Sequence, residues 1–231
     1  MARSQWGFLT EKLEQLFYPQ VCSFCDSLIT EDDAGPRRYV CRACESDLPF
    51  RLNDEIYPGH TPFLLAVSFY YEEPLLLALR QLKFHGRTDF APALASYLHA
   101  TYQRLKLSCD VIIPMPLHYK RERQRGYNQA GLLGEALADL VGIPLLEDAL
   151  LRVKASGRQS ERRGREEKLA NVQGIFEVGE DGLPALYGRR ALLLDDIVTS
   201  GATMTEAGLC LQEAGIDVLG MACAAGGLRP D

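Results

Sequence analysis

The sequence predicts an α/β protein with a mostly parallel sheet flanked by helices, preceded by a small cysteine-rich module. Three observations predict this class. Short apolar runs alternate along the chain with segments of helical spacing, which is the pattern of βα units. Four cysteines lie close together near the start of the chain. The apolar run from Ala191 to Leu194 ends in two adjacent aspartates and a turn that leads into a helix.

The composition is that of an ordinary globular chain. Its 231 residues allow one or two domains, and 47% hydrophobic with 24% charged residues is typical of soluble proteins. No apolar run approaches the roughly 20 residues that span a bilayer. Charged residues interrupt the apolar positions of the N-terminal stretch, whereas a signal peptide has an uninterrupted apolar segment. We therefore expect a cytoplasmic protein without membrane insertion. A formal charge of −6 argues against general nucleic-acid binding, although local basic patches remain compatible with it.

The elements are expected in a regular order. An amphipathic helix is predicted over residues 5–17, and Pro19 is expected to stop it. The strands are predicted at residues 64–71, 109–113, 191–194 and 217–224, and the helices at residues 74–84, 89–107, 128–141 and 203–214. The charged segment 157–172 is predicted to be a long exposed loop or a frayed helix. The N-terminal helix and zinc-ribbon module is placed at residues 1–58 and the α/β domain at residues 59–231.

The four clustered cysteines predict a metal site. Cys22, Cys25, Cys41 and Cys44 form two C-x2-C pairs separated by fifteen residues. Two such pairs present four thiolates in the tetrahedral arrangement that Zn²⁺ prefers, and no ligand position is left open for catalysis. The alternative is four buried free thiols, but the polar residues around them are unusual for a core. We expect a structural Zn²⁺ ion.

A phosphate-binding loop is predicted after the strand that begins at Ala191. The strand carries Asp195 and Asp196 to the edge of the sheet where ligands of open α/β sheets bind. The turn from Thr199 to Thr203 then offers hydroxyls and backbone N–H groups at a helix N-terminus, where anions bind. Carboxylates accept hydrogen bonds from neighbouring hydroxyls, so the pair and the loop together suit a phosphorylated ribose. The alternative is an ordinary strand, cap and helix.

The segment Ala191–Thr203, ALLLDDIVTSGAT, resembles the signature of type I phosphoribosyltransferases that binds 5-phosphoribosyl 1-pyrophosphate (PRPP). The resemblance implies a type I phosphoribosyltransferase-like domain in which Asp195 and Asp196 are the catalytic residues and hold the ribose hydroxyls. It also implies Mg²⁺ with the pyrophosphate. The residues it assigns to the 5-phosphate are Thr199, Ser200, Gly201, Ala202 and Thr203.

Two further points follow from the same resemblance. Met115 and Pro116 follow an earlier strand, at the place where related enzymes bind pyrophosphate through backbone groups. Thr199 stands where hypoxanthine-type purine salvage enzymes carry an acid that handles a proton on the base. The absence of that acid argues against purine salvage of that type.

Two segments of the chain are locally basic although the protein is acidic. They run from Lys120 to Arg125 and from Arg152 to Lys168. Such runs are usually solvated faces, but beside a phosphate loop they favour cationic loops that grip pyrophosphate. A track for single-stranded DNA is a further alternative, with Tyr127 as a stacking surface. The candidates to contact pyrophosphate or DNA are Arg123, Arg125, Arg158, Arg162 and Arg163.

Several motifs together resemble the ComF family. They are Phe17-Tyr18-Pro19 before the first C-x2-C pair, LKFHG at Leu82–Gly86, PMPL followed by RGYNQA, and the PRPP loop. The resemblance implies a phosphoribosyltransferase-like domain with an N-terminal zinc finger, in proteins linked to natural transformation and the handling of incoming single-stranded DNA.

Three functions are compatible with these observations. The first is a phosphoribosyltransferase that transfers phosphoribose from PRPP to an unknown acceptor. The second is a non-catalytic PRPP sensor that binds single-stranded DNA and works with other competence or DNA-uptake proteins. The third is a structural adaptor built on the zinc module. A fold alone does not choose among them, and the sequence contains no acceptor motif.

Overall fold

The computed structural model describes residues 19–30, 33, 39–51, 61–154, 174–179, 184 and 186–226. The chain divides into two compact units, Met1–Leu48 and Pro49–Asp231. The helix predicted over residues 5–17, the segment 157–172 and the domain boundary predicted at residue 58 lie outside the described residues. Within the described part, no helix is both long enough and apolar enough to cross a membrane.

The described part of the first unit contains tight turns around its cysteines. A β-bridge joins Val21 to Leu28, and a short helix, α1, covers Arg42–Ser46. Cys41 caps this helix, because its sulfur accepts a hydrogen bond from the Cys44 N–H. No residue of α1 is buried. Helix α1 therefore adds no apolar core to the described part of this unit, which suits stabilisation by a bound metal.

The described part of the second unit contains two sheets. In chain order its elements are β1 (Leu65–Tyr70), α2 (Leu75–Phe84), α3 (Phe90–Arg104), β2 (Val111–Pro114), α4 (Tyr119–Arg125), α5 (Gln129–Val141), β3 (Leu150–Arg152), β4 (Phe176–Val178), β5 (Arg190–Val198), α6 (Ala202–Glu213) and β6 (Asp217–Ala225). Four strands form a parallel sheet in the order β1-β6-β5-β2, and β3 pairs with β4 antiparallel. The predicted α/β fold with a mostly parallel sheet is confirmed.

Helices pack on both faces of the four-stranded sheet. Successive residues of a strand point to opposite faces, so Leu193 and Leu194 face different layers. Leu193 belongs to the buried cluster that includes Met204 and Leu211 of α6. Leu194 lies instead near Gly134 of α5, a helix that also packs against α3. The strands β5 and β6 are covered on both sides, which explains their continuous apolar runs.

The structure differs from the sequence prediction in three elements. Strand β5 is longer than predicted, because it continues to Val198 and pairs Asp195 with Ala222 of β6. The basic segment after His118 is helical rather than a loop, since it forms α4. The antiparallel strand pair β3-β4 was not predicted at all. Helix α4 buries none of its residues, and strands β3 and β4 are each only three residues long. The helix and the two strands therefore show no apolar periodicity that the sequence could reveal.

Candidate functional site

The parallel register brings two loops together at one edge of the sheet. Pro114 of β2 pairs with Leu194 of β5, so the residues that follow both strands leave the sheet side by side. The Met115 N–H donates to the Leu194 carbonyl at 2.7 Å. A cavity of about 450 Å³ opens between the loops, and we call it the phosphate-loop cavity. It lies at the carboxyl ends of the strands, where open α/β sheets bind ligands.

The two aspartates are held by backbone hydrogen bonds within β5. The Asp196 N–H donates to Asp195 Oδ1 at 2.8 Å, and the Ile197 N–H donates to Asp196 Oδ1 at 3.0 Å. Asp196 Oδ2 lies 3.6 Å from Lys83 Nζ and, in the described part of the chain, has no hydrogen-bond partner although it is buried. A buried oxygen in that state is available to a hydroxyl donor of a ligand.

The two carboxylates face cations on different walls. Burial, and then the nearby Asp196 charge, raise the pKa of Asp195 well above its ordinary value, and Lys83 opposes this shift. Asp195 attracts Arg152, whereas Asp196 attracts Arg125. Burial lowers the pKa of both guanidinium groups, which nevertheless stay charged because arginine cannot be deprotonated in proteins. The cavity therefore combines acceptors for hydroxyls with cations for phosphates.

The loop after β5 forms a site for an anion. Residues Thr199–Thr203 line the cavity and lead directly into α6. Gly201 is the residue before this helix, with a φ of 75°, a left-handed conformation that favours glycine. No side chain caps the helix, and Ser200 Oγ is 3.5 Å from the Ala202 nitrogen. The N–H groups of the first helical turn have no partner within the helix, so they can bind a phosphate.

A second helix begins at the same cavity. Asn128 caps α5 by accepting from the Ala130 N–H at 3.1 Å, and its Nδ2 donates to the Met115 carbonyl at 3.1 Å. Gln129 is only 2% exposed, and its Oε1 accepts from Arg125 Nη1 at 2.7 Å. Its buried Nε2 has no hydrogen-bond partner among the described residues. A ligand oxygen in the cavity would satisfy this donor.

The structure brings most of the predicted site residues together. The residues that line the phosphate-loop cavity include Met115, Pro116, Asp195, Asp196, Thr199, Ser200, Gly201, Ala202 and Thr203. Arg125 contacts Gln129 but lines a neighbouring cavity, and Arg123 is exposed and lines neither cavity. Arg158, Arg162 and Arg163 lie outside the described residues. The ligand assigned to all these residues stays a prediction.

Among the cavity residues that were not predicted site residues, four supply a cation or an unpartnered amide. They are Lys83, Arg121, Gln129 and Arg152. Lys83 and Gln129 belong to the motifs LKFHG and RGYNQA, so the family resemblance contained a signal for both. Arg121 and Arg152 lie in the basic segments, but nothing in the sequence separates them from their charged neighbours. Arg121 and Arg152 reach the cavity only because of the way α4 and β3 pack in the second unit.

The cysteine cluster of the first unit fits a zinc ion. The sulfur atoms of Cys22, Cys25, Cys41 and Cys44 all lie within 4.8 Å of one another. The Cys25 and Cys41 sulfurs are 3.8 Å apart, close to the separation of about 3.8 Å in a tetrahedron with Zn–S bonds of about 2.3 Å. The Cys41 N–H also donates to Cys22 Sγ at 3.4 Å. Four thiolates in this arrangement would hold a structural Zn²⁺.

The chain is similar in sequence to proteins named for competence and DNA use. It is 32% identical over 159 residues to Competence protein F of Haemophilus influenzae, covering 66% of this chain and 68% of that protein. It is 33% identical to DNA utilization protein YhgH of Salmonella typhi, over 59% of this chain and 60% of that protein. Competence protein ComFC of Bacillus subtilis is 28% identical, over 84% of this chain and 90% of that protein. No protein-family model matches the chain.

Solved structures give a weaker likeness. UMP synthase of Leishmania donovani matches with a TM-score of 0.36 and 17% identity, over 64% of this chain and 24% of that chain. Adenine phosphoribosyltransferase of Leishmania tarentolae matches with a TM-score of 0.37 and 12% identity, over 58% of this chain and 70% of that chain. Scores of this size establish no shared activity.

Proposed function

The chain belongs to the ComF family of competence proteins, and we propose that its second unit binds PRPP in the phosphate-loop cavity. The observation that carries this proposal is the position of Asp195 and Asp196 beside the loop Thr199–Thr203 in one cavity. A ribose phosphate carries adjacent hydroxyls and a phosphate group a few ångströms apart. PRPP presents both, together with a pyrophosphate.

Each part of PRPP has a matching group in this cavity. The 5-phosphate binds the N-terminus of α6 and the hydroxyls of its loop. The ribose hydroxyls donate to carboxylate oxygens of the aspartate pair, including the buried Asp196 Oδ2. The pyrophosphate lies towards Met115 and Pro116, where Arg121 and the unpartnered Nε2 of Gln129 supply donors. These assignments use the cations and the buried polar atoms that the described residues leave unpaired.

Bound PRPP is also suited to transfer. The lone pair of an acceptor forms a bond to C1 of the ribose while the bond from C1 to the pyrophosphate oxygen breaks, and pyrophosphate leaves with the electron pair. The protein contributes positioning and stabilisation of the developing charge. The cysteine quartet is the only group of three or more metal-binding side chains among the described residues. Mg²⁺, which neutralises pyrophosphate charge, would therefore be held mainly by PRPP oxygens.

The biological setting we propose is the uptake or use of DNA. The relatives carry the names Competence protein F, Competence protein ComFC and DNA utilization protein YhgH. Membership of this family supports a role in natural transformation, with other competence or DNA-uptake proteins as partners.

PRPP binding can be tested by thermal unfolding. PRPP with Mg²⁺ at a hundred times its dissociation constant stabilises the folded chain by about 2.7 kcal/mol, a rise in Tm of roughly 5–10 °C. The double variant Asp195→Asn/Asp196→Asn is expected to lose this rise. The control is Asp139→Asn/Asp148→Asn, which changes two exposed aspartates outside the cavity and should keep it. No rise in the parent protein would remove PRPP from the proposal.

One observation favours a second function, the binding of single-stranded DNA. Helix α4 buries no residue, and it presents Lys120, Arg123 and the 63% exposed Tyr119 to solvent. Cations that contact phosphates together with an exposed aromatic ring form the usual surface for single-stranded nucleic acid. The name of the relative DNA utilization protein YhgH agrees with this function.

A DNA surface on α4 predicts a steep salt dependence. Affinity for a labelled oligonucleotide should fall as salt rises, and Arg123→Ala should weaken binding and reduce the salt slope by about one. Arg123 lines neither cavity, so the same variant should keep the Tm rise caused by PRPP. The control is Arg80→Ala, which removes an exposed arginine from α2. Binding that does not respond to salt or to Arg123→Ala would contradict a DNA surface on α4.

A further inference from the structure

A second cavity adjoins the phosphate-loop cavity. Its volume is about 560 Å³, and we call it the aromatic cavity because Phe84 and Tyr127 line it. Lys83 and Arg121 line both cavities, so the two share a wall. A molecule in the aromatic cavity would therefore lie next to whatever occupies the phosphate-loop cavity. Its volume is in the range of sites for small molecules.

The aromatic side chains of this cavity offer apolar surface to a ligand. Phe84 is the last residue of α2 and is 65% exposed, a large fraction for a phenylalanine. The Arg125 guanidinium lies 5.1 Å from the centre of its ring. The Tyr127 hydroxyl donates to the Leu82 carbonyl, which holds that ring in place. A planar ring that stacks on Phe84 would cover apolar surface now open to water.

The charge of the cavity is positive. Its lining contains Lys83, Arg121 and Arg125, and none of the described lining residues is acidic. Lys83 is 3.6 Å from Asp196, but Arg121 and Arg125 have no ion-pair partner among the described residues. Arg125 is held in place by its hydrogen bond to the neutral side chain of Gln129. Arg125, held by Gln129, and the exposed Arg121 form no ion pair among the described residues, so they favour an anion, which arginine binds with two parallel hydrogen bonds.

We infer that the aromatic cavity binds the acceptor of phosphoribosyl transfer, and that this acceptor is a planar aromatic ring that carries a carboxylate. The inference rests on the proposed function. Stacking on Phe84 selects the ring, and Arg121 with Arg125 selects the carboxylate. A ring nitrogen directed past Lys83 would face C1 of PRPP.

Transfer to such an acceptor is chemically balanced. The lone pair of the ring nitrogen forms a bond to C1, and the C1–O bond breaks with its electron pair leaving on pyrophosphate. A proton carried by that nitrogen passes to water. No oxidant or reductant is needed.

Pairs of ligands that differ in the carboxylate test this inference. The probes are orotate against uracil and nicotinate against nicotinamide, titrated calorimetrically into the full chain with and without PRPP. We expect each acid to bind about tenfold or more tightly than its neutral partner, because the hydrogen bonds to the charged group are lost without it. Pyrophosphate release identifies which acid is consumed.

Amino-acid substitutions show whether the acids bind in the aromatic cavity. Phe84→Leu removes the ring and Arg125→Gln removes one cation, and each should weaken binding of the acids about tenfold. Phe84→Leu should keep the rise in Tm caused by PRPP, since Phe84 does not line the phosphate-loop cavity. The control is Leu77→Ala, which truncates another exposed apolar residue of α2 and should change neither measurement.

The possible failures are distinguishable. If PRPP raises Tm but neither acid binds more tightly than its neutral partner, the acceptor class is wrong and the PRPP proposal stands. If the acids bind but Phe84→Leu leaves their affinity unchanged, the aromatic cavity is not their site. If a short oligonucleotide binds with Phe84 dependence and the acids do not, the cavity is a nucleic-acid contact. If PRPP fails to bind, the proposed function and the acceptor site both fall.

Discussion

Asp195 and Asp196 are consecutive in the sequence but meet different surroundings. Each Oδ1 accepts a backbone hydrogen bond, while Asp196 Oδ2 stays buried without one among the described residues. Burial and the adjacent carboxylate raise the pKa of Asp195. Two carboxylates held this way weaken the fold, and residues that do so are commonly retained for a ligand.

The raised pKa of Asp195 predicts a pH-dependent effect of Asp195→Asn. Between the ordinary pKa of about 4 and the raised value, the folded chain binds more protons at this group than the unfolded chain does. The stability that this protonation contributes is complete below about pH 4 and is lost as pH rises through the raised pKa. The Asp195→Asn variant has no such loss. The Tm of the variant minus the Tm of the parent should therefore increase as pH rises.

The measurement is Tm of parent and variant between about pH 4 and about pH 9. Asp139→Asn, at an exposed position, should follow the parent at every pH. A constant difference between parent and Asp195→Asn across that range would show that the pKa is not raised. The variant should also bind PRPP less tightly at each pH.

Residues of the site were predictable where they are contiguous in the sequence. Asp195, Asp196 and Thr199–Thr203 lie in one segment, so a strand, two acids and a turn could be recognised together. Lys83 and Arg152 come from distant segments and meet the aspartates only through the packing of α2 and β3. Charge alone does not distinguish them, because the sequence contains 25 lysines and arginines.

At the scale of elements, helix α6 can pack where it does because Gly208 has no side chain. Gly208 faces Phe63, and a Cβ at that position would overlap the Phe63 ring. The helix therefore packs closely against the strands that position the phosphate loop. Gly220 of β6 approaches the same ring, so both glycines admit Phe63 between the helix and the sheet.

Gly208→Ala tests this packing. Alanine improves helix propensity by about 1 kcal/mol, but the overlap with Phe63 costs about 1–3 kcal/mol, so we expect a net loss of stability. Urea denaturation measures it. The control is Gln212→Ala at an exposed position of α6, which should change stability by less than about 0.5 kcal/mol. A stabilised Gly208→Ala protein would mean that Phe63 moves aside without cost.

The elements followed from the sequence where apolar residues are periodic. Strands β1, β2, β5 and β6 and helices α2, α3, α5 and α6 were all predicted, with ends that differ by a few residues. Helix α4 was not, because its seven residues YKRERQR include no buried side chain. Its limits are set by His118 at its start, whose Nδ1 accepts from the Lys120 N–H, and by Gly126 at its end. Capping residues without an apolar face are a weak sequence signal for a helix.

At the scale of the whole molecule, we expect the two units to depend on different sources of stability. The second unit has a buried apolar core on both faces of its sheet. The first has four cysteine sulfurs within 4.8 Å of one another, and all seven cysteines of the chain are free of disulfides. Structural zinc contributes about 10–16 kcal/mol of apparent binding free energy in small modules. Removal of metal should therefore unfold the first unit alone.

Limited proteolysis with mass spectrometry measures this. After chelation, or in Cys25→Ser/Cys44→Ser, we expect cleavage within residues 20–50, while residues 61–154 and 186–226 stay protected. The control is Cys210→Ser, which changes a half-buried thiol of α6 and should leave the first unit resistant. A first unit that keeps its resistance without metal would contradict a zinc-dependent fold.

The proposed site rests on an aspartate pair that accepts ribose hydroxyls beside a loop that binds phosphate. Calorimetric titration with ribose 5-phosphate and 2-deoxyribose 5-phosphate tests it most directly, because the two ligands differ by one hydroxyl. We predict that the parent binds the deoxy sugar about tenfold or more weakly, and that Asp195→Asn/Asp196→Asn binds both alike. Equal affinity of the parent for the two sugars would contradict the claim.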